Sequence, residues 1–436
     1  MSNYSQNTAE LLQKLIRFDT SNPPGNELEC ISFIKELLTE AGIEVQILAK
    51  SPQRPNLIAR LKGRGETRPL LLYGHADVVP ADSREWKHPP FAGDLVEGEV
   101  WGRGALDMKG GLAMMLAAVL RVGHNSLDLP GDVILAVVSD EETGGNLGAK
   151  FLTEEHPEKF RDVRYALGEF GGFNQSMGKH RFYPIQVAEK QICRINATVY
   201  GPGGHASIPV RNGAMSRMGK LLQTLDRSKL PVHVTPVARR MIQAIASTLG
   251  GTRGKALEQI LNPRLTDHMI RLLGEQGRLL HPLLHNTVSP TRLYGSSAIN
   301  VIPGQVSVDL DGRLLPGYGP GEMINELRGI IGEQVELEVF RYDHAPAEPD
   351  MGMFDDLANI LQEFDPQGTP IPFLLSASTD ARFFSRLGIQ TYGFLPVQLP
   401  QGMNFSQLIH SPDERIPVDS LEFGTNAIYR ALQLFR

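Results

Sequence analysis

Cysteine is nearly absent: the chain of 436 residues holds only Cys30 and Cys193, far apart and without a CxxC partner. A cysteine-based zinc site is therefore excluded. Two free thiols in a reducing cytosol are expected, with a single disulfide as the alternative. Long apolar runs are absent too. The longest, Leu112 to Leu120, falls far short of the ~20 residues that a membrane span needs. The N-terminus carries no apolar signal core, and its Leu11, Leu12, Leu15 and Ile16 fall at helical spacing. A cytoplasmic protein with no membrane partner is the expectation. There is no excess of positive charge. A net charge of -6 argues against a nucleic-acid partner, which calls for a basic face. No run of like charges suggests a tail. What remains is an ordinary globular composition, 41% hydrophobic and 21% charged, in a chain long enough for two domains.

The first half alternates helical and strand patterns. Helices are expected at 7–18, 27–42, 110–123 and 145–154. Strands are expected at 44–49, 55–61, 69–73 and 132–138. This is the signature of an α/β sheet covered on both faces. From about residue 190 the pattern changes to strand, helix, two strands, helix and strand: 191–200, 212–226, 287–301, 305–313, 320–332 and 334–342. That order is ferredoxin-like, with a helical insertion at about 231–286. The expected organisation is a discontinuous catalytic domain, 1–189 and 349–436, interrupted by a second domain at 190–348.

Histidines and carboxylates gather in short glycine-punctuated segments: Tyr73-Gly74-His75-Ala76-Asp77, Gly104 to Gly111 around Asp107, Ser139-Asp140-Glu141-Glu142-Thr143-Gly144-Gly145, and Leu408-Ile409-His410-Ser411-Pro412. His75 and the Asp140–Glu142 run follow expected strands, and open α/β sheets place ligands at the carboxyl ends of their strands. Residues i and i+2 of an extended segment face one side, so Asp77 can hold His75 in one tautomer. Adjacent Glu141 and Glu142 repel each other unless a cation is near; one can bind metal while the other serves as a base. Glu169 is a lone carboxylate in an apolar, glycine-rich setting. Each residue has a plainer reading. Asp107 suits the cap of the next helix, Glu141-Glu142 a solvated turn, and His75 and His410 ordinary loops. The simplest device using the whole set is a pair of cations bridged by carboxylate and capped by imidazole.

Together these segments resemble the co-catalytic zinc hydrolases that include acetylornithine deacetylase, succinyl-diaminopimelate desuccinylase, aminoacylase and glutamate carboxypeptidase. GHADVVP, WGRGALDMKGG, SDEETGG, GPGGHASIP, AINVIPGQVSVDLDGRLLPG, STDARFF and IHSPDERIP are similar to that family's signatures, in order, over nearly the whole chain. Two departures stand out: Ala377-Ser378 and Ser411-Pro412 replace the more usual glycines.

The resemblance implies a zinc-peptidase-like catalytic domain, with a central mixed sheet and helices on both faces, plus an inserted ferredoxin-like lid that makes a homodimer. It implies two zinc ions, with cobalt or manganese also accepted by such sites. His75 and Glu169 would end one ion's coordination, Glu142 and His410 the other's, with Asp107 bridging beside a cis peptide. Asp77 would support His75. Glu141 would be the general base on a metal-activated water. His205 would reach the neighbouring protomer's site to stabilise the oxyanion. Asn300 and Arg313 would hold the substrate, a guanidinium suiting a carboxylate; Arg313 has Asp309 or Asp311 as alternative partners. The long lid insertion resembles the aminoacylase and carboxypeptidase branch. The implied substrate is a dipeptide or N-acyl amino acid with a free carboxylate. Acetylornithine or succinyl-diaminopimelate is the alternative, and a silent binding or scaffold relative is the alternative of another class.

Overall fold

The computed structural model describes residues 4–125 and 127–436. The chain folds as two compact units. One comprises residues 1–187, 349–373 and 379–436; the other comprises 188–348 with 374–378. Among the described residues, no helix is long and apolar enough to cross a membrane.

The first unit is built on a mixed sheet. Its strands run in the order Glu44–Ser51, Arg54–Leu61, Val133–Val138, Leu70–His75, Tyr165–Gly168, Gln390–Gly393, His180–Glu189 and Gly368–Leu375. Val133–Val138 and Leu70–His75 are wholly buried, as uninterrupted Val, Ile and Leu require in a sheet covered on both faces. These two strands pair in parallel, and Leu70–His75 also pairs in parallel with Tyr165–Gly168. Three adjacent strands thus end at one edge. The helix Lys109–His124 is buried along nearly its whole length, and the C-terminal helix Val418–Leu434 packs against it.

Sequence and structure differ locally. The Leu70–His75 strand runs two residues further than periodicity suggested, so His75 is its last residue. The helix expected from 145 begins at Ala149. Gly144 and Gly145 take positive φ values of 113° and 72°, and the Asp140 carboxylate captures the Leu147 N–H at 3.0 Å, which holds this stretch as a turn.

The second unit has an antiparallel sheet in the order Thr287–Tyr294, Gln305–Leu314, Gln191–Tyr200, Glu336–Tyr342. The helices Ala214–Arg227 and Pro320–Ile331 bury Met218, Leu221, Met323 and Leu327 against Cys193, Val308 and Leu310. That is the ferredoxin-like arrangement. The strand expected over 287–301 stops at Tyr294. There Ser296 Oγ takes the Ala298 N–H at 3.1 Å and turns the chain. Val301–Ile302 then pairs separately with Gly204–His205. The insertion consists of helices Pro236–Leu249, Gly251–Glu258, Thr266–Leu272 and Glu275–Leu284. Both cysteines are buried and free.

Candidate metal centre

The carboxyl ends of the three parallel strands converge. His75 ends one strand, and in the register it faces Val138, the last residue of the next. Ser139 and Asp140 lead from there into the turn Glu141–Thr143. Glu169 follows directly on Tyr165–Gly168. Asp107 enters from the loop before the Lys109–His124 helix, through a cis peptide to Met108. His410 enters from the loop after Phe405–Leu408, in the left-handed region at φ 59°.

Asp107 stands in the middle. Its Oδ1 lies 3.2 Å from His75 Nε2, and its Oδ2 lies 3.2 Å from His410 Nε2. Glu169 Oε2 is 3.4 Å from His75 Nε2, and Glu142 Oε1 is 3.3 Å from His410 Nε2. Two three-residue groups therefore share one carboxylate: His75, Asp107, Glu169 and Asp107, Glu142, His410. Asp107 does not cap the helix, whose N-cap is Met108 with no side-chain capping bond.

These donors fit two metal ions. Bonds of ~2.0–2.1 Å in a tetrahedral site separate neighbouring donor atoms by about 3.3 Å, close to the spacings found. Glu169 Oε1 is buried without a hydrogen-bond partner among the described residues, which is costly unless a cation sits there. The charge balance makes the same demand. Burial opposes charge on His75, but hydrogen bonds to Asp107 and Glu169 outweigh it and lift its pKa well above the histidine range. Hydrogen bonds to Asp107 and Glu142 lift His410 to about 10. Asp107 is held below the carboxylate range; burial opposes this, but the two histidines prevail. Burial, with Glu169 adding repulsion, pushes Glu141 well above it. Protons on the two imidazoles thus do part of the work that divalent cations would do.

Asp77 departs from its expected role in one respect. His75 Nδ1–H donates to the Asp77 backbone carbonyl at 2.8 Å, while the carboxylate Oδ1 stands 3.6 Å away. The carboxylate instead accepts the Glu141 and Glu142 N–H groups, both at 3.1 Å, and the Asn22 amide at 2.8 Å. A two-residue backbone reach satisfies His75 and frees the side chain to fix the turn that carries both glutamates.

Several supporting residues escaped sequence reasoning. Glu414 is fully buried, pairs with Arg103 at 2.6 Å, and accepts the Leu106 and Asp107 N–H groups. It anchors the backbone on which Asp107 rides. The signal was present in IHSPDERIP, where an acid sits four residues after His410, but its partner lies some three hundred residues away. Glu414→Ala should destabilise the fold by ~3–5 kcal/mol, because Arg103 is left as a buried unpaired charge. A urea unfolding midpoint that barely moves would contradict this. Asp380 is buried with neither oxygen hydrogen-bonded among the described residues, and burial raises its pKa to about 7. A Cβ on Gly145 would stand 2.6 Å from its Oδ1, so that turn requires glycine for space as well as for its φ.

The remaining predicted residues lie in the second unit. His205 is exposed, with Nδ1 2.7 Å from Ser207 Oγ. Asn300 is exposed. Arg313 is half-buried and pairs with Asp311 at 3.0 Å, the alternative that its sequence setting had left open, rather than with Asp309.

An α/β sheet whose strand ends gather two histidine–carboxylate pairs around a shared aspartate defines the class: a metal-dependent hydrolase. Comparison with known proteins narrows this. The profile of Peptidase family M20/M25/M40 matches residues 71–434, and the chain belongs to that family. It is 25% identical to mouse "Aminoacylase-1" over 429 residues, covering 97% of this chain and 93% of the relative. It is 26% identical to "Probable carboxypeptidase S-like 2" of Dictyostelium discoideum (87% and 74%). It is also 26% identical to "Succinyl-diaminopimelate desuccinylase" of Paracoccus denitrificans (76% and 83%). Among solved structures it is similar to an M20 family metallo-carboxypeptidase of Sulfolobus solfataricus, with TM-score 0.68, 16% identity and 98% of both chains covered. The di-peptidase Dug1p of Saccharomyces cerevisiae gives 0.66, 16%, and coverage of 99% and 98%. The chain is an enzyme that hydrolyses amide or peptide bonds.

Proposed function

We propose that the enzyme is a two-zinc amidohydrolase cleaving a dipeptide or N-acyl amino acid that bears a free carboxylate. The observation that carries this reading is Asp107, whose two oxygens face the two histidines at equal distance. In it, His75 and Glu169 would hold one ion and Glu142 and His410 the other, with Asp107 offering a carboxylate oxygen to each. Bound zinc would lower the pKa of water and polarise the substrate carbonyl. Glu141 takes a proton from the attacking water and returns it to the leaving nitrogen. Asp77 steadies Glu141 through its backbone N–H. His205, supplied by the lid of a second chain, donates to the developing oxyanion. Asn300 and Arg313 hold the substrate carboxylate, Arg313 sharing its guanidinium with Asp311.

Dimerisation through the lid is supported by apolar side chains left exposed near the edge strand Thr287–Tyr294, namely Met215, Leu293 and Tyr294. An edge strand with such neighbours invites pairing with a second copy. His205→Ala should lose turnover by ~10²–10³-fold while remaining a dimer in sedimentation; retained turnover removes His205 from the chemistry. A panel of dipeptides, N-acyl amino acids, acetylornithine and succinyl-diaminopimelate, read by released amine, tests the substrate class. The similarity to aminoacylases and carboxypeptidases supports the first two groups. Preference for acetylornithine or succinyl-diaminopimelate would replace that reading with a biosynthetic one.

A further inference from the structure

A second cluster of metal-ligating side chains lies within the lid's helical insertion, apart in sequence from the residues described above. Asp267 sits in the first turn of Thr266–Leu272, and His281 in the last turn of Glu275–Leu284. His285 caps that second helix. Each offers one donor atom, and the three lie within 4.8 Å of one another.

The protonation of His285 is fixed by its neighbours. Its Nδ1 is 3.0 Å from the His281 carbonyl oxygen. A carbonyl can only accept, so Nδ1 carries the hydrogen and a neutral ring leaves a lone pair on Nε2. That nitrogen belongs to a fully buried side chain and has no hydrogen-bond donor among the described residues. The atom facing it is Asp267 Oδ1, at 3.6 Å. Two acceptors point at each other across a gap, an arrangement that needs a cation between them. Lys229 already sends its ammonium to Asp267 Oδ1 at 2.8 Å, yet leaves His285 Nε2 without a donor. Its side chain is 42% exposed, so it can swing out to water.

We propose that Asp267, His281 and His285 form a further metal site, taking a zinc-class divalent cation that ties the Thr266–Leu272 helix to the end of Glu275–Leu284. Two imidazole nitrogens and one carboxylate oxygen are a borderline donor set suited to zinc or cobalt rather than magnesium or calcium, and the His281 ring, stacked on His285 with centroids 4.1 Å apart, turns out of the stack to aim its nitrogen at the ion. Water from the exposed side would complete four-coordination. The ion displaces the Lys229 ammonium from Asp267.

The test is equilibrium dialysis of the full chain against zinc, comparing wild type with His281→Ala. The count is read as a difference, so it is independent of how many ions the His75–Asp107–His410 centre holds. The expected result is one equivalent fewer in the variant. Cobalt-loaded wild type minus variant should also show the visible absorption of a four-coordinate nitrogen and oxygen site. Lys229→Met keeps the ligands and removes the competing ammonium, so it should bind the additional ion several-fold more tightly even if the alanine variant folds poorly. Equal metal counts in wild type and His281→Ala, or no tightening in Lys229→Met, would overturn the proposal.

Discussion

Asp107→Ala should strip both ions from the catalytic centre and reduce turnover to background. Among the described residues, Asp107 alone belongs to both ligand groups. Its Oδ1 and Oδ2 each lie 3.2 Å from an imidazole, so deleting the carboxylate removes a ligand from both ions and the negative charge that lies between them. Replacing an outer ligand should act unequally. His410→Ala should weaken one ion more than the other, because His75 and Glu169 remain. Metal content by plasma emission, measured after dialysis at a fixed free zinc concentration, distinguishes the two variants. An Asp107→Ala chain that retains both ions would show that Asp107 is not the bridge.

Glu141→Gln should leave the metal content intact and lower turnover by ~10²–10⁴-fold, the usual contribution of a positioned general base. The side chain is nearly isosteric. The backbone bond from Glu141 N–H to Asp77 Oδ1 does not involve the substituted group. Folding and metal binding should therefore survive, and only proton transfer should fail. Single-turnover measurements at saturating substrate would separate this from weakened binding. Turnover near that of wild type would remove Glu141 from the base role.

The sequence was most legible where physics is local. A buried apolar strand followed by acids or a histidine marked His75 and the Glu141-Glu142 pair, because strand periodicity and strand-end chemistry both act over a few residues. Glu169 was visible as a misplaced charge, but its strand Tyr165–Gly168 is only four residues long, too short for alternation to show. The strand Gln390–Gly393, also four residues long, went unread for the same reason, and Gly368–Leu375 carries two prolines that break a strand pattern. Asp77 was recognised, yet the choice between its carbonyl and its carboxylate depends on a turn geometry that composition does not encode. The supports of the site were the least legible. Glu414 under Asp107, and the Arg54–Glu27 pair that also approaches Asp140, are meetings of distant segments. Nothing in the residues alone announces such a meeting. Resemblance to a family supplied roles, but not these contacts.

A pair of ions sharing Asp107 has a crystallographic signature. Crystals of zinc-loaded protein, with anomalous scattering recorded on either side of the zinc absorption edge, test for it directly. Two peaks ~3.5–4 Å apart, one beside His75 and Glu169 and one beside Glu142 and His410, with Asp107 between them, is the predicted result. A single peak in that centre, or none, would contradict the account.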